Sequence, residues 1–136
     1  MKKVFLGGDC NGSSWREELI EVLKMDYFNP EDENWTEECY QEELRQRELC
    51  DYCLYVITPR MEGMYSIAEV VDDSNKRPEK TLFCIVSADF SVAGNFIIFN
   101  EQQLKSLDKV GRMIQENGGK YFRTLREAAK FLNNIN

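Results

Sequence analysis

The chain contains no histidine among its 136 residues. That absence removes Ser-His-Asp and Cys-His nucleophilic machinery, histidine general bases and every zinc site built on imidazole. Cations are also in the minority: 17 Lys and Arg face 24 Asp and Glu, a formal charge of −7. Nucleic-acid binding draws on a basic surface that sheds counterions, so this balance points away from polyanions. Long apolar runs are missing as well. Val4-Phe5-Leu6, ahead of Gly7-Gly8, is too short for a signal-peptide core or a membrane span, and the later runs are also short. The expectation is a cytoplasmic protein without a membrane partner. Cysteine is odd in number and scattered (Cys10, Cys39, Cys50, Cys53, Cys84), which is poor material for a disulfide framework. Cys50-Asp51-Tyr52-Cys53 has CxxC spacing, yet no second pair completes a zinc site and the pair straddles a helix-to-strand junction. These thiols read as structural groups, and neither metal nor cofactor is expected. Chemistry is left to carboxylates, Cys, Tyr, Ser and backbone amides.

What is present is a regular alternation. Val4-Phe5-Leu6 reads as a first buried strand, and Ser14-Trp15-Arg16-Glu17 as a capping box opening a helix. Trp15, Leu19, Val22 and Leu23 line one face of that helix. Tyr27-Phe28 is a short strand closed by Pro30, and an acid-rich helix follows from about Glu37 to Cys50, capped by Asn34 or Thr36. Tyr52 to Thr58 is the strongest strand, a helix is expected near Ser66 to Ser74, and Thr81 to Val86 is a further apolar strand. Phe96 to Phe99 reads as a weaker, final strand. Two amphipathic helices close the chain, separated by Gly118-Gly119: one on Leu104, Leu107, Val110 and Ile114, the other on Phe122, Leu125, Ala129 and Leu132. With 43% hydrophobic residues there is enough apolar material for one core. Near-continuous apolar strands joined by helices predict an α/β protein: a three-layer α/β/α sandwich on a mostly parallel sheet of about five strands. Ligands in such sheets bind at the carboxyl ends of strands where the strand order reverses.

Three loops lie there. Gly7 to Ser14 joins the first strand to a helix N-terminus, where glycines permit close backbone approach. It is neither a GxGxxG fingerprint nor a P-loop. Asp9 would repel a phosphate and suits a neutral sugar whose hydroxyls donate to a carboxylate; the alternative is a tight turn with Asp and Ser capping the helix. Residues Asn29 to Trp35 form the second loop. The third, Thr58 to Glu69, leads into a helix on which Ser66-x-x-Glu69 has capping-box spacing. Glu69 in a first turn would be kept ionised by the helix dipole, as a carboxylate nucleophile requires. Glu37, Glu38, Glu42, Glu43 and Glu48 crowd the helix before the third strand, and most read as a solvated face.

Three stretches resemble the nucleoside 2-deoxyribosyltransferase-like family: Val4-Phe5-Leu6-Gly7-Gly8-Asp9-Cys10-Asn11-Gly12-Ser13; Glu43-Leu44 through Leu49-Cys50-Asp51 and on to Leu54-Tyr55-Val56-Ile57-Thr58-Pro59; and Gly63-Met64-Tyr65-Ser66-Ile67-Ala68-Glu69. The third is the most specific. The resemblance implies a flavodoxin-like fold, with residues 1–136 forming one such domain, and an enzyme of the N-glycosidic bond of 2′-deoxynucleosides. On it, Glu69 is the nucleophile that takes up the deoxyribosyl group, Glu43 assists the leaving base, and Tyr65 or Tyr27 orients Glu69. Gly7, Gly8, Asp9, Asn11, Gly12 and Ser13, with Gly63, Met64 and Ser66, hold the substrate. A homo-oligomer is implied too, with Asn95 or Asn100 as candidates for an asparagine lent between neighbouring subunits in some relatives.

The chain departs from the family at Met61-Glu62-Gly63-Met64, where transferases usually carry aspartates and only Glu62 is acidic. A non-catalytic module binding a nucleoside or nucleotide in the same crevice is therefore the second reading. Asp9 and the few cations around the crevice, of which Arg60 is the nearest exception, favour a substrate without phosphate over a phosphorylated one.

Overall fold

The computed structural model describes residues 1–8, 12–30 and 35–135. Seven strands and five α-helices occur among them: β1 (Lys3–Gly8), α1 (Trp15–Val22), β2 (Asp26–Phe28), α2 (Glu37–Leu49), β3 (Tyr52–Ile57), α3 (Tyr65–Lys76), β4 (Thr81–Ile85), β5 (Ala88–Val92), β6 (Asn95–Ile98), α4 (Glu101–Glu116), β7 (Lys120–Phe122) and α5 (Leu125–Asn133). Five strands form one parallel sheet in the order β2-β1-β3-β4-β7. Its layers follow from the strand sequences. Val4, Leu6, Leu54, Val56, Leu82 and Cys84 project from one face and pack with Trp15, Leu19, Ala128 and Leu132 of α1 and α5. Phe5, Cys53, Tyr55, Ile57, Phe83 and Ile85 project from the other and pack with Val70 of α3 and Leu107 and Ile114 of α4. A sheet covered on both sides needs apolar residues at every position, not at alternate ones. The architecture is the flavodoxin-like three-layer sandwich.

From β1 the chain moves outward to β2 and then crosses back to β3, so the order reverses at the carboxyl ends of β1 and β3. Glycine is required there. Gly8 has φ of 120°, and a Cβ on it would stand 2.2 Å from the Val56 carbonyl oxygen. A Cβ on Gly7 would stand 2.6 Å from the Tyr55 ring. The two strands approach as closely as they do because neither residue has a side chain.

Several expectations are corrected. Phe96 to Phe99 is not the last strand of the sheet: β6 pairs antiparallel with β5 in a separate two-stranded hairpin. The last sheet strand is β7, which takes Phe122 out of the closing helix and inserts a crossover between α4 and α5. Three residues are too few to show a strand's periodicity. The Ser14 capping box does not form; the Ser14 hydroxyl lies 2.9 Å from that of Ser91 on the hairpin. Val22 is exposed, leaving Trp15 and Leu19 as the buried residues of the expected face. Of the two candidate caps for α2, Thr36 accepts from the Cys39 amide, whereas Asn34 lies outside the described residues. Cys50 ends α2 and Cys53 lies in β3; both thiols are buried, and burial pushes Cys53 up to about 12. Among the described residues, no helix is long and apolar enough to cross a membrane.

Candidate functional site

Both α2 and α3 run antiparallel to the strands, so their N-termini lie toward the carboxyl ends of the sheet. On α2, Tyr40, Glu43 and Arg47 recur at three- and four-residue spacing; on α3, Tyr65, Glu69 and Asp73 recur at four. Each set therefore lines one helix face. The two sets meet rung by rung. Nearest the N-termini the Tyr40 and Tyr65 hydroxyls share a hydrogen bond. Next, the Glu43 charge acts on Glu69. Deepest, the Arg47 guanidinium reaches Glu69 through Nη1 at 3.4 Å and Asp73 through Nη2 at 2.8 Å.

Asp73 is the anchor of the cluster. It is 1% exposed and accepts from Arg47, from the Tyr55 hydroxyl and from Arg77. Burial works to raise its acidity constant, but the hydrogen bonds from Arg47, Tyr55 and Arg77 outweigh it and hold the carboxyl below its usual range. A tyrosine in a fully buried strand needs a partner for its hydroxyl, and Asp73 supplies it to Tyr55.

Glu69 behaves in the opposite way. Burial pushes it up to about 7, Arg47 works against that rise, and the negative charges of Glu43 and Asp73 add to it. The expected first-turn ionisation is thus overturned. The helix begins at Tyr65 with Met64 as its cap residue, and no side chain caps it. Glu69 accordingly falls in the second turn, beyond the reach of the terminal dipole, and Ser66 sits within the helix instead of capping it. Glu43 accepts from the Trp35 indole at 3.2 Å. Tyr65 is exposed and its hydroxyl partner is Tyr40, while Tyr27, the alternative for orienting Glu69, stands exposed on edge strand β2.

The glycine loop is tied elsewhere. Asp9 and Asn11 lie outside the described residues. Gly12 is exposed with φ of 80°, and the Ser13 hydroxyl donates to Asp89 at 2.6 Å. Asp89, on the β5–β6 hairpin, also pairs with Arg60 at 2.6 Å, and Arg60 donates to the Asn95 carbonyl. The hairpin is thereby latched across the loops that follow β1 and β3. Arg60 is neutralised within this latch. Gly63 and Met64 are exposed and Ser66 is half-buried at the entrance to α3. The Asn100 side chain caps α4.

The structure therefore brings Glu43, Glu69, Tyr65 and the Gly63–Ser66 turn to one end of the α2–α3 pair. It turns Ser13 toward the hairpin. Arg47, Asp73 and Tyr55 are missing from the expected site, although the four-residue spacings Glu43/Arg47 and Glu69/Asp73 carry a signal for two of them. Nothing in the sequence signals Asp89. A separate cleft of about 610 Å3 opens between α4 and the ends of β4 and β7, lined by Ile85, Leu104, Asp108 and Tyr121 among others; neither Glu43 nor Glu69 lines it.

Neither a curated protein nor a solved structure matches this chain. A family model described as nucleoside 2-deoxyribosyltransferase like matches residues 1–88. That span runs from β1 through β4 and includes α2, α3, Glu43 and Glu69, and at well over half of the 136 residues it shows that the chain belongs to the nucleoside 2-deoxyribosyltransferase-like family.

Proposed function

We propose that the protein cleaves or transfers at the N-glycosidic bond of 2′-deoxynucleosides through a covalent deoxyribosyl-glutamate at Glu69. The observation that carries this is the pairing of Glu69 with Glu43 across two helices, at the carboxyl end of a sheet, in a chain with no histidine. Two carboxylates in unlike surroundings suffice for this reaction class. A Glu69 oxygen bonds to the anomeric carbon as the bond from that carbon to the base nitrogen breaks. The electron pair leaves with the base, which takes up a proton from solvent relayed by the Glu43 carboxylate. Water or a second base then attacks the same carbon, the bond from that carbon to the Glu69 oxygen breaks, and the proton of the attacking group passes through Glu43 to solvent. Tyr65, Met64 and Ser66 border the entry, and the loop that opens at Gly7 and Gly8 holds the sugar, with Ser13 bound to Asp89 at its far end. With Arg60 paired to Asp89, an unphosphorylated substrate is favoured. The same reading carries a homo-oligomer, for which the exposed apolar side chains Phe90, Val92, Phe96 and Ile98 of the hairpin offer a surface; sedimentation velocity tests it.

Incubation with purine and pyrimidine deoxynucleosides plus a free base, followed by chromatography, tests the activity. Base exchange marks a transferase and base release a hydrolase; neither, with any substrate, overturns the reading. Mass spectrometry of the quenched mixture should find a deoxyribosyl adduct on a peptide containing Glu69, absent from Glu69→Ala. The second reading, a binding module without turnover, draws on Met61-Glu62-Gly63-Met64 and on a Glu69 that burial leaves only partly charged near neutrality. Calorimetric binding without product would establish it.

A further inference from the structure

We infer that Arg47 is a positioning residue of this site: locked onto Asp73 by one edge of its guanidinium, it turns the remaining Nη1 toward Glu69 and so fixes that carboxylate in place and in charge. The inference rests on Glu69 as the reacting carboxylate. Its geometry is a relay through a buried side chain. Nε and Nη2 of Arg47 face Asp73 at 3.4 and 2.8 Å, the two-pronged grip a planar guanidinium makes on a carboxylate. That grip leaves Nη1 on the side of Glu69, 3.4 Å from Oε2. Arg47 is 6% exposed, so little water screens the interaction.

An anchoring role for Arg47 alone does not account for this arrangement. Asp73 already receives hydrogen bonds from Tyr55 and Arg77. What Arg47 adds is a positive charge beside Glu69, where the other neighbours work the other way. Among the charged groups acting on Glu69, Glu43 from α2 and Asp73 from α3 are negative, and Arg47 is the opposing cation. Burial and the nearby Asp73 charge raise Tyr55 on β3, and the hydrogen bond with Tyr40 and burial raise Tyr65 on α3, so both stand neutral beside the cluster. Without Arg47, burial and two negative neighbours would all favour a protonated, non-nucleophilic Glu69.

The test is a carbon-13 titration of the side-chain carboxyls in substrate-free protein, with Glu69→Gln identifying the Glu69 signal. The parent should titrate near 7 at Glu69. In Arg47→Gln that midpoint should rise by about one pH unit or more. In Arg47→Lys, which keeps the charge and loses the fork, the midpoint should stay near the parent value while kcat falls about tenfold with little change in KM. A midpoint that Arg47→Gln leaves in place, or an Arg47→Lys with parental kcat, overturns the inference. Should Arg47→Gln fail to fold, Arg47→Lys decides alone through its kcat. A titration that shifts as expected in a protein whose turnover survives Glu69→Gln would remove the catalytic reading and leave the Arg47–Glu69 coupling standing. An unmoved titration with Glu69→Gln inactive would do the reverse.

Discussion

Asp73 takes hydrogen bonds from three side chains and touches almost no water. Asp73→Asn would leave the buried Arg47 and the half-buried Arg77 opposite a neutral amide, and it should lower the unfolding free energy by about 3–5 kcal/mol in a urea titration. Glu69 carries the opposite sign. Its folded value of about 7 lies above the ordinary 4.5, because burial disfavours the charged form. The stability it contributes is present in full below pH 4.5 and is lost as pH rises through 7. Glu69→Gln should therefore unfold at a higher temperature than the parent at pH 8. The gain should be about 1–2 kcal/mol once partial solvent screening is allowed for, and it should vanish at about pH 4. On the proposed function, Glu69 is a carboxylate held at a cost to stability, as a trade-off between activity and stability predicts.

At the scale of elements, β1 and β3 are held at a spacing that only glycine allows. Gly8→Ala would place a Cβ 2.2 Å from the Val56 carbonyl oxygen at a φ of 120°. Backbone cannot yield as a flexible side chain can, so the loss should be about 3 kcal/mol or more in urea unfolding. The β5–β6 hairpin is held by polar contacts instead of core packing. Asp89 is 4% exposed and joins Ser13, Arg60 and Ser91. Burial tends to raise its acidity constant, but the hydrogen bonds from Ser13, Arg60 and Ser91 prevail and hold it at about 2. Asp89→Asn removes the charge that Arg60 faces. Amide exchange in the hairpin should then accelerate while the amides of β3 and β4 keep their protection; equal acceleration in both would show that the hairpin opens only with the whole fold.

For the whole molecule these groups set opposing limits. Asp73 and Asp89, held below their ordinary 3.8, contribute stability above that value and lose it as pH falls further, Asp89 as pH falls to about 2. Glu69 contributes below 4.5 and loses it as pH rises through 7. A surplus of seven acids adds self-repulsion at the upper end. The unfolding free energy measured across the pH range should peak at about pH 4–6. Glu69→Gln should flatten the alkaline limb and leave the acid limb unchanged. Turnover that depends on a charged Glu69 should instead climb with pH through 7, so the optima for stability and for activity should be separate.

The sequence alone determined the sandwich and the family, and it put forward Glu69 and Glu43, which the fold sets on neighbouring helices. Strands covered on both faces must be apolar throughout, so β1, β3 and β4 announced themselves, and the Gly63 to Glu69 stretch carried the family. Short or exposed elements were only partly legible: β2 reads as a strand and β6 reads as one but of the wrong sheet, whereas β7, with three residues, and β5, with Phe90 turned to solvent, are missed. The latch joins Ser13 to Asp89 across 76 positions, a separation no local pattern encodes. Only the tertiary structure decided the charge of Glu69. A helix position suggested an ionised carboxylate, but acidity depends on what covers the group, and here α2 covers it with one cation, one anion and little water.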